Sequence, residues 1–134
     1  MIDARELRIG NYIQSKPLSI PRLQISHNGV MTVTGYGISV IESDTNGTMG
    51  FETIPLTEEW LLKFGFEKEI DCGSEYWTIQ IGNNLHLTIS LEDNTAGIDL
   101  NWKSQGSLIW MMVKHIHTLQ NVYYSLTGEE LEVK

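Results

Sequence analysis

The residues best suited to chemistry or binding lie in one stretch of the sequence. His117, Gln120, Asn121 and Tyr124 recur at i, i+3, i+4 and i+7, a spacing that places side chains along one edge of an α-helix. An imidazole, two amides and a phenol on one edge offer hydrogen bonds and aromatic area to a partner. The alternative is structural, because Gln120 falls inside the apolar stripe of the same helix, where its amide needs internal partners. We predict a binding patch at these four residues and keep the structural alternative open.

Two histidines, His115 and His117, have a spacing that could suggest a metal pair. On a helix, two residues correspond to about 200° of rotation, so the imidazoles should point to opposite edges. His27 and His86 stand alone in strand-like contexts, and the sequence has no HExxH or CxxC motif. We therefore expect no metal site and no cofactor, which elemental analysis of the purified protein would check.

The remaining motifs do not indicate catalysis. Cys72 is the only cysteine, and its acidic neighbours disfavour the thiolate that a nucleophile requires. Gly35-Tyr36-Gly37 resembles the start of a dinucleotide fingerprint, but the third glycine position holds Val40 and the pattern predicts strand, turn and strand. We predict no catalytic residue, and a small enzyme that uses His117 with a carboxylate remains the alternative.

The first 55 residues have the pattern of four or five short strands. A hairpin through Asn28-Gly29 is predicted to join residues 23–26 to residues 30–34, and further strands are expected at 37–41 and 49–54. This spacing is typical of a small β-barrel-like or curled sheet.

The remaining residues alternate between helix and strand patterns. A short helix is predicted over 57–64, with Thr57 as its N-cap and Gly65 after its end. An antiparallel meander over 75–110 follows, and then an amphipathic helix over 112–127 that ends before Gly128. The fold class is therefore α+β. We predict a single domain, 1–134, that could divide into a β-rich lobe, 1–55, and an α+β lobe, 56–134.

The charge of the chain is acidic and unevenly distributed. Its formal net charge is −8; residues 1–40 hold four cations and two anions, which gives +2, and residues 41–134 hold five cations and fifteen anions, which gives −10. Because binding a duplex requires cations, the net charge disfavours nucleic acid as a partner, although nucleic-acid binding or mimicry through the first half remains an alternative. The charged start, the single cysteine and the lack of a long apolar run predict a cytoplasmic protein with no membrane association.

Three segments resemble a family of small uncharacterised proteins from Bacteroides-type gut bacteria and their phages. They are residues 54–66 (IPLTEEWLLKFGF), residues 115–131 (HIHTLQNVYYSLTGEEL) and residues 6–12 (ELRIGNY). The resemblance implies a bacterial, phage or prophage accessory protein, and it carries over no catalytic residue. Together with the motifs above, it predicts a non-enzymatic binding or interaction protein that docks on another protein or on itself.

Overall fold

The residues that the structure describes form three α-helices and two antiparallel β-sheets, so the α+β class is confirmed. A computed structural model describes residues 2–16, 23–26, 28–44, 46–83, 85–100 and 107–134. The chain divides into two compact units. Unit 1 consists of Met1–Pro55 and His115–Asn121, and unit 2 consists of Leu56–Lys114 and Val122–Lys134.

Within its described residues, unit 1 contains a three-stranded sheet. Its strands are β1 (Tyr12–Gln14), β2 (Gln24–Ile25) and β3 (Val30–Thr32), which pair antiparallel in the order β1-β3-β2. Gly29 has a φ of +86° in the turn between β2 and β3, a conformation that glycine adopts without steric cost. The hairpin predicted at Asn28-Gly29 is therefore confirmed. His27 lies outside the described residues.

Helix α1 (Gly35–Ser43) corrects the prediction of a strand at 37–41. The hydroxyl of Thr34 accepts a hydrogen bond from the backbone N–H of Gly37 at 3.0 Å, which caps the first turn. Val40 and Ile41 favour strands as isolated residues, because their branched side chains restrict χ1 in a helix. In unit 1 the helix buries Ile41 in a core with Ile2, and this tertiary packing outweighs the local preference.

The predicted barrel does not form in the part of unit 1 that the structure describes. Residues 49–54, predicted as a strand, contribute an isolated bridge between Gln14 and Glu52 instead of a ladder. Their apolar residue Phe51 joins the core that Ile13, Met31 and Val33 form. In its described residues, unit 1 thus combines a small sheet with helix α1 and with the N-terminal residues of a further helix, which begins at Ile116.

Helix α2 (Glu58–Lys63) in unit 2 agrees with the prediction at both ends. The hydroxyl of Thr57 accepts from the N–H of Trp60 at 3.4 Å. At the other end Gly65 has a φ of +92°, and the N–H of Phe66 bonds to the carbonyl of Leu61 at 3.0 Å. The predicted N-cap and C-terminal glycine are both confirmed.

In the described part of 75–110 the predicted meander is confirmed, and one further strand precedes it. The five strands that the described residues contribute to this sheet, in order along the chain and across it, are β4 (Glu67–Asp71), β5 (Ser74–Gly82), β6 (Leu85–Ser90), β7 (Thr95–Leu100) and β8 (Ser107–Met112). Strand β4 was missed because its charged residues are uncommon in strands. Residues 101–106, which join β7 to β8, lie outside the described part of the chain.

Helix α3 (Ile116–Thr127) begins four residues later than the predicted residue 112. Met112 instead ends β8 and is 59% exposed. The chain stays extended up to the helix because His115 forms an antiparallel bridge with Pro55. The predicted end is confirmed, since Gly128 has a φ of +74°. None of the helices in the described ranges has the length and apolar content that crossing a membrane requires.

Candidate functional site

Gln120 lies in the first half of α3 and is fully buried in unit 1. Its side-chain oxygen accepts from the backbone N–H of Tyr12 at 2.8 Å, and its side-chain N–H donates to the carbonyl of Gly10 at 3.3 Å. A buried amide is stable only when its donor and acceptor are paired, and these two bonds provide such a pairing. Gln120 therefore ties the helix to the loop before β1.

Asn121 extends this connection through side chains. Its side-chain oxygen accepts from Asn11 Nδ2 at 2.9 Å and from Arg8 Nε at 3.2 Å, and its own amide donates to the carbonyl of Glu6 at 3.0 Å. Arg8 also reaches the carbonyl of Gln120 at 3.3 Å. We call Glu6, Arg8, Asn11, His117, Gln120 and Asn121 the polar cluster of unit 1.

His117 is 2% exposed and faces a carboxylate in this cluster. Its Nε2 lies 3.5 Å from Glu6 Oε2, while its Nδ1 is buried and has no hydrogen-bond partner among the described residues. Burial lowers the pKa of His117; the contact with Glu6 opposes this effect, and His115 adds to it. The neutral imidazole is thus the form that unit 1 favours.

The helical spacing predicted that His115 and His117 point to opposite edges, and this prediction is wrong. The rings of His115 and His117 stack, with centroids 5.7 Å apart and an interplanar angle of 17°. The reason is that α3 begins at Ile116, so His115 is an extended residue to which helical geometry does not apply. Within the described residues, no three His, Cys, Asp or Glu side chains are arranged to hold a metal ion.

The structure brings together three of the four predicted site residues. His117, Gln120 and Asn121 belong to the polar cluster, whereas Tyr124 lies in the half of α3 that belongs to unit 2 and is exposed. The buried side chains of His117 and Gln120 are out of reach of a macromolecule in this conformation. The bonds of Gln120 to the backbone of Gly10 and Tyr12 are those of the structural alternative, in which the helix edge bonds to neighbouring backbone.

An open cleft of about 550 Å³ lies between the N-terminal residues and α1 in unit 1. Its lining, which we call the N-terminal cleft, consists of Ile2, Asp3, Ala4, Arg5, Ile38, Ile41, Glu42 and Asp44. Ile38, Ile41 and Glu42 stand at i, i+3 and i+4, so α1 presents them on one face. Half of the lining residues are apolar and half are charged. This volume is in the range of about 300–1,000 Å³ that is usual for ligand sites.

The charged residues of the N-terminal cleft differ in how they are bonded. Arg5 Nη2 donates to Asp3 Oδ2 at 2.8 Å, and this hydrogen bond lowers the pKa of Asp3. Asp44 accepts from the backbone N–H groups of Thr48 at 3.0 Å and Met49 at 3.1 Å, one on each carboxylate oxygen. Glu42 is exposed and makes no hydrogen bond or ion pair with any residue that the structure describes.

A smaller cleft of about 250 Å³ in unit 2 is lined by Glu58, Gly73, Glu75, Trp77, Leu91 and Glu92. The ammonium group of Lys68 lies 3.2 Å from Glu75 Oε1 and 3.7 Å from Glu58 Oε1. It also lies 5.6 Å from the centre of the Trp77 ring. Two of the three glutamates are therefore already paired with a cation of the same unit.

The structure places Cys72 and the Gly35-Tyr36-Gly37 motif at a turn and at a helix start. Cys72 is exposed in the turn between β4 and β5 with a φ of +52°. Gly35-Tyr36-Gly37 opens helix α1 after strand β3, so the prediction of strand, turn and strand is wrong. The third glycine of a dinucleotide fingerprint is still missing, and the strands of this sheet pair antiparallel rather than parallel.

In comparisons with known proteins, no family model, no curated protein and no solved structure matches the chain.

Sequence reasoning missed the partners of the predicted patch and the whole N-terminal cleft. Asn11 is fully buried, yet a Gly10-Asn11 pair in sequence indicates only a turn. The cleft was missed because residues 37–41 were interpreted as a strand, which would place Ile38 and Ile41 on opposite faces. The i, i+3, i+4 spacing of Ile38, Ile41 and Glu42 was the signal that could have revealed it.

Proposed function

We propose that this protein is a non-enzymatic interaction protein. The observation that carries the proposal is the contrast between its two polar regions in unit 1. In the polar cluster, the side chains of Arg8, Asn11, Gln120 and Asn121 are used in internal hydrogen bonds. The N-terminal cleft, in contrast, is open and offers an apolar floor with a carboxylate, Glu42, at its edge. An open apolar cleft with few polar groups is the usual form of a binding site.

The bonds of the cleft carboxylates support binding rather than acid–base catalysis. Hydrolysis by two carboxylates requires one of them to hold a proton, which needs a raised pKa. Asp3 has a lowered pKa because it is paired with Arg5, and both oxygens of Asp44 are held by backbone N–H groups. Neither of the other two carboxylates in the cleft is therefore available to Glu42 as the second group of a hydrolytic pair.

The alternative of a small enzyme rests on one contact, between His117 Nε2 and Glu6 Oε2. A histidine oriented by a carboxylate is a common general base, but it must reach the proton that it removes. His117 is buried and does not line either of the two clefts described above. This alternative would require the residues that cover the imidazole to move.

The alternative of nucleic-acid binding depends on free cations in the first 40 residues. Arg5 is paired with Asp3, and Arg8 donates to Asn121 and to the carbonyl of Gln120. Because phosphate binding requires cations that can replace counterions, the pairing of these two arginines within the chain weakens this alternative. The ammonium group of Lys16, an exposed residue, makes no hydrogen bond or ion pair with the described residues. Arg22 lies outside the described residues.

The proposal includes a phage or prophage accessory role in Bacteroides-type bacteria and a cytoplasmic location. Of the three segments that carry the resemblance, residues 115–131 contact each of the other two within unit 1. Residues of 6–12 bond to Gln120 and Asn121, and the carbonyl of Ile54 accepts from the N–H of Ile116 at 2.9 Å. These contacts give the segments a shared role in building the fold. The single cysteine supports a reducing compartment.

Two measurements test the interaction proposal. The tagged protein is used to capture partners from a Bacteroides-type lysate at physiological salt, and the purified protein is sized by light scattering over a range of concentrations. We expect either a protein enriched in stoichiometric amounts or a concentration-dependent dimer. The control bait is an unrelated folded protein of similar size and net charge, because an acidic chain captures basic proteins nonspecifically. A monomer that enriches nothing beyond this control would contradict the proposal.

A further inference from the structure

We infer that the N-terminal cleft binds a short segment of a protein partner in which a lysine or arginine lies next to an aliphatic side chain. This inference rests on the proposed function, because it takes the occupant to be part of a protein. It adds the chemistry of the occupant and the residues that recognise it. Ile2, Ala4, Ile38 and Ile41 would receive the aliphatic group, and Glu42 would receive the cation.

The apolar half of the cleft requires an occupant with an aliphatic group. Ile2 and Ile41 belong to the core of unit 1, so the floor is held in place by packing and should persist without a ligand. A freely hydrated cation would leave this apolar surface in contact with water. A ligand that covers it gains the hydrophobic contribution that is proportional to the buried apolar area.

The charged half of the cleft selects a cation. Three anions and one cation line it, Asp3, Glu42, Asp44 and Arg5, so its formal charge is −2. Arg5 is already held by Asp3, and the bonds to Asp44 come from neutral N–H groups that leave its charge uncompensated. Glu42 has no partner among the residues that the structure describes, so an incoming ammonium or guanidinium group can pair with it without breaking an existing bond.

The size of the cleft favours a short peptide segment. A volume of about 550 Å³ accommodates a few side chains and is too small for a folded element. A peptide supplies an aliphatic and a cationic side chain at neighbouring positions on one backbone. An anionic ligand such as a phosphate chain would meet the net negative lining and is disfavoured.

The test uses three capped peptides and the full-length protein labelled with ¹⁵N. The peptides are Gly-Leu-Lys-Leu-Gly, Gly-Ser-Lys-Ser-Gly without aliphatic groups, and Gly-Leu-Glu-Leu-Gly without the cation. We expect the first peptide to shift the amide signals of Ile2, Ala4, Ile38 and Glu42, and the other two to bind at least about threefold more weakly. Thermal melts check that every variant is folded.

Two variants and a matched control locate the binding. Glu42→Gln removes the charge and should weaken binding of Gly-Leu-Lys-Leu-Gly by about threefold to tenfold. Ala4→Leu fills the cleft and should weaken it by at least about threefold, because the apolar floor is occupied. Glu52→Gln is the control, since Glu52 is exposed in unit 1, carries the same charge and does not line the cleft. It should leave the affinity unchanged.

The inference is overturned if the peptide shifts no cleft signal, if Glu52→Gln weakens binding as much as Glu42→Gln, or if all three peptides bind equally. The interaction proposal survives such a result if the Ala4→Leu and Glu42→Gln variants still capture the same partner, because the partner then binds elsewhere on the protein. The interaction proposal fails separately if the peptide occupies the cleft but the protein captures no partner and does not self-associate.

Discussion

Replacing Gln120 with alanine tests whether the edge of α3 is part of the core of unit 1. In the structure this side chain is fully buried and bonds to the N–H of Tyr12 at 2.8 Å and to the carbonyl of Gly10 at 3.3 Å. Alanine removes both bonds and leaves the two backbone groups without these partners. We expect a clear loss of stability.

The magnitude follows from the two bonds and the volume removed. A buried donor that loses its partner costs about 1–3 kcal/mol, and the loss at Tyr12 should fall in this range. The bond to Gly10 is long, so its loss adds little, and the buried methylene that alanine lacks adds about 0.8 kcal/mol. The sum is about 2–4 kcal/mol, a large share of the roughly 5–15 kcal/mol by which small domains are stable. At an exposed site the same substitution would change the stability by less than about 0.5 kcal/mol.

The assay must report on unit 1. All four tryptophans, Trp60, Trp77, Trp102 and Trp110, fall within Leu56–Lys114 of unit 2, so their fluorescence is the wrong probe. Urea unfolding followed by far-UV circular dichroism gives the global value, and hydrogen exchange of the Tyr12 amide reports the broken bond directly. Gln14→Ala is the matched control, because Gln14 is exposed in the same unit.

Two further variants separate hydrogen bonding from volume and charge. Gln120→Met keeps most of the volume without the bonds and should retain most of the loss. Gln120→Glu buries a carboxyl group whose pKa rises in the folded state, so the folded state favours the protonated form. The Gln120→Glu variant should therefore be more stable at low pH and lose stability as the pH rises through the raised pKa. A Gln120→Ala variant that is no less stable than Gln14→Ala, with unchanged exchange of the Tyr12 amide, would refute a role of this edge in the core.

Three other predictions concern single residues. Burial lowers the pKa of His117, so the contribution of this residue to stability is complete above the ordinary pKa of 6.5 and is lost as the pH falls. Between about pH 7.5 and about pH 5.5, the free energy of unfolding in urea should therefore change less for His117→Gln than for the unsubstituted protein, and an equal change would contradict this. Thr57→Ala should cost about 0.5–1 kcal/mol, the lower part of the range for an N-cap, since its bond to Trp60 is long at 3.4 Å; no loss in urea unfolding would show that the cap is ineffective. Gly128→Ala should cost about 1–2 kcal/mol in the same assay, entirely from its left-handed backbone. Apart from its chain neighbours, no described residue has an atom within 4 Å of the added Cβ, so a neutral result would mean that the turn rearranges.

The elements that the sequence determined are those whose signals lie within a few residues. Helix α2 is defined by Thr57 before it and Gly65 after it, and the β2–β3 hairpin by its Asn28-Gly29 turn. Caps and turns act on the nearest backbone groups, so their effect does not depend on what packs against the element. The end of α3 at Gly128 has the same local origin.

Tertiary packing decided the type of one element, α1, and the start of another, α3. The sequence of α1 contains Val40 and Ile41, which favour a strand until Ile41 is buried in the core of unit 1. The start of α3 is delayed because His115 pairs with Pro55, a residue 60 positions earlier, and this pairing keeps the backbone extended. A periodic pattern of apolar residues cannot reveal either partner.

The polar cluster shows the same division within one site. The spacing of His117, Gln120 and Asn121 in sequence was enough to predict that they share a helix edge. Their partners could not be predicted, because Tyr12 and Gln120 are 108 residues apart and their hydrogen bond forms only when the loop before β1 packs on α3. A polar side chain satisfies its hydrogen bonds with whatever group the fold brings near it, so only the tertiary structure decides whether such an edge is buried or exposed.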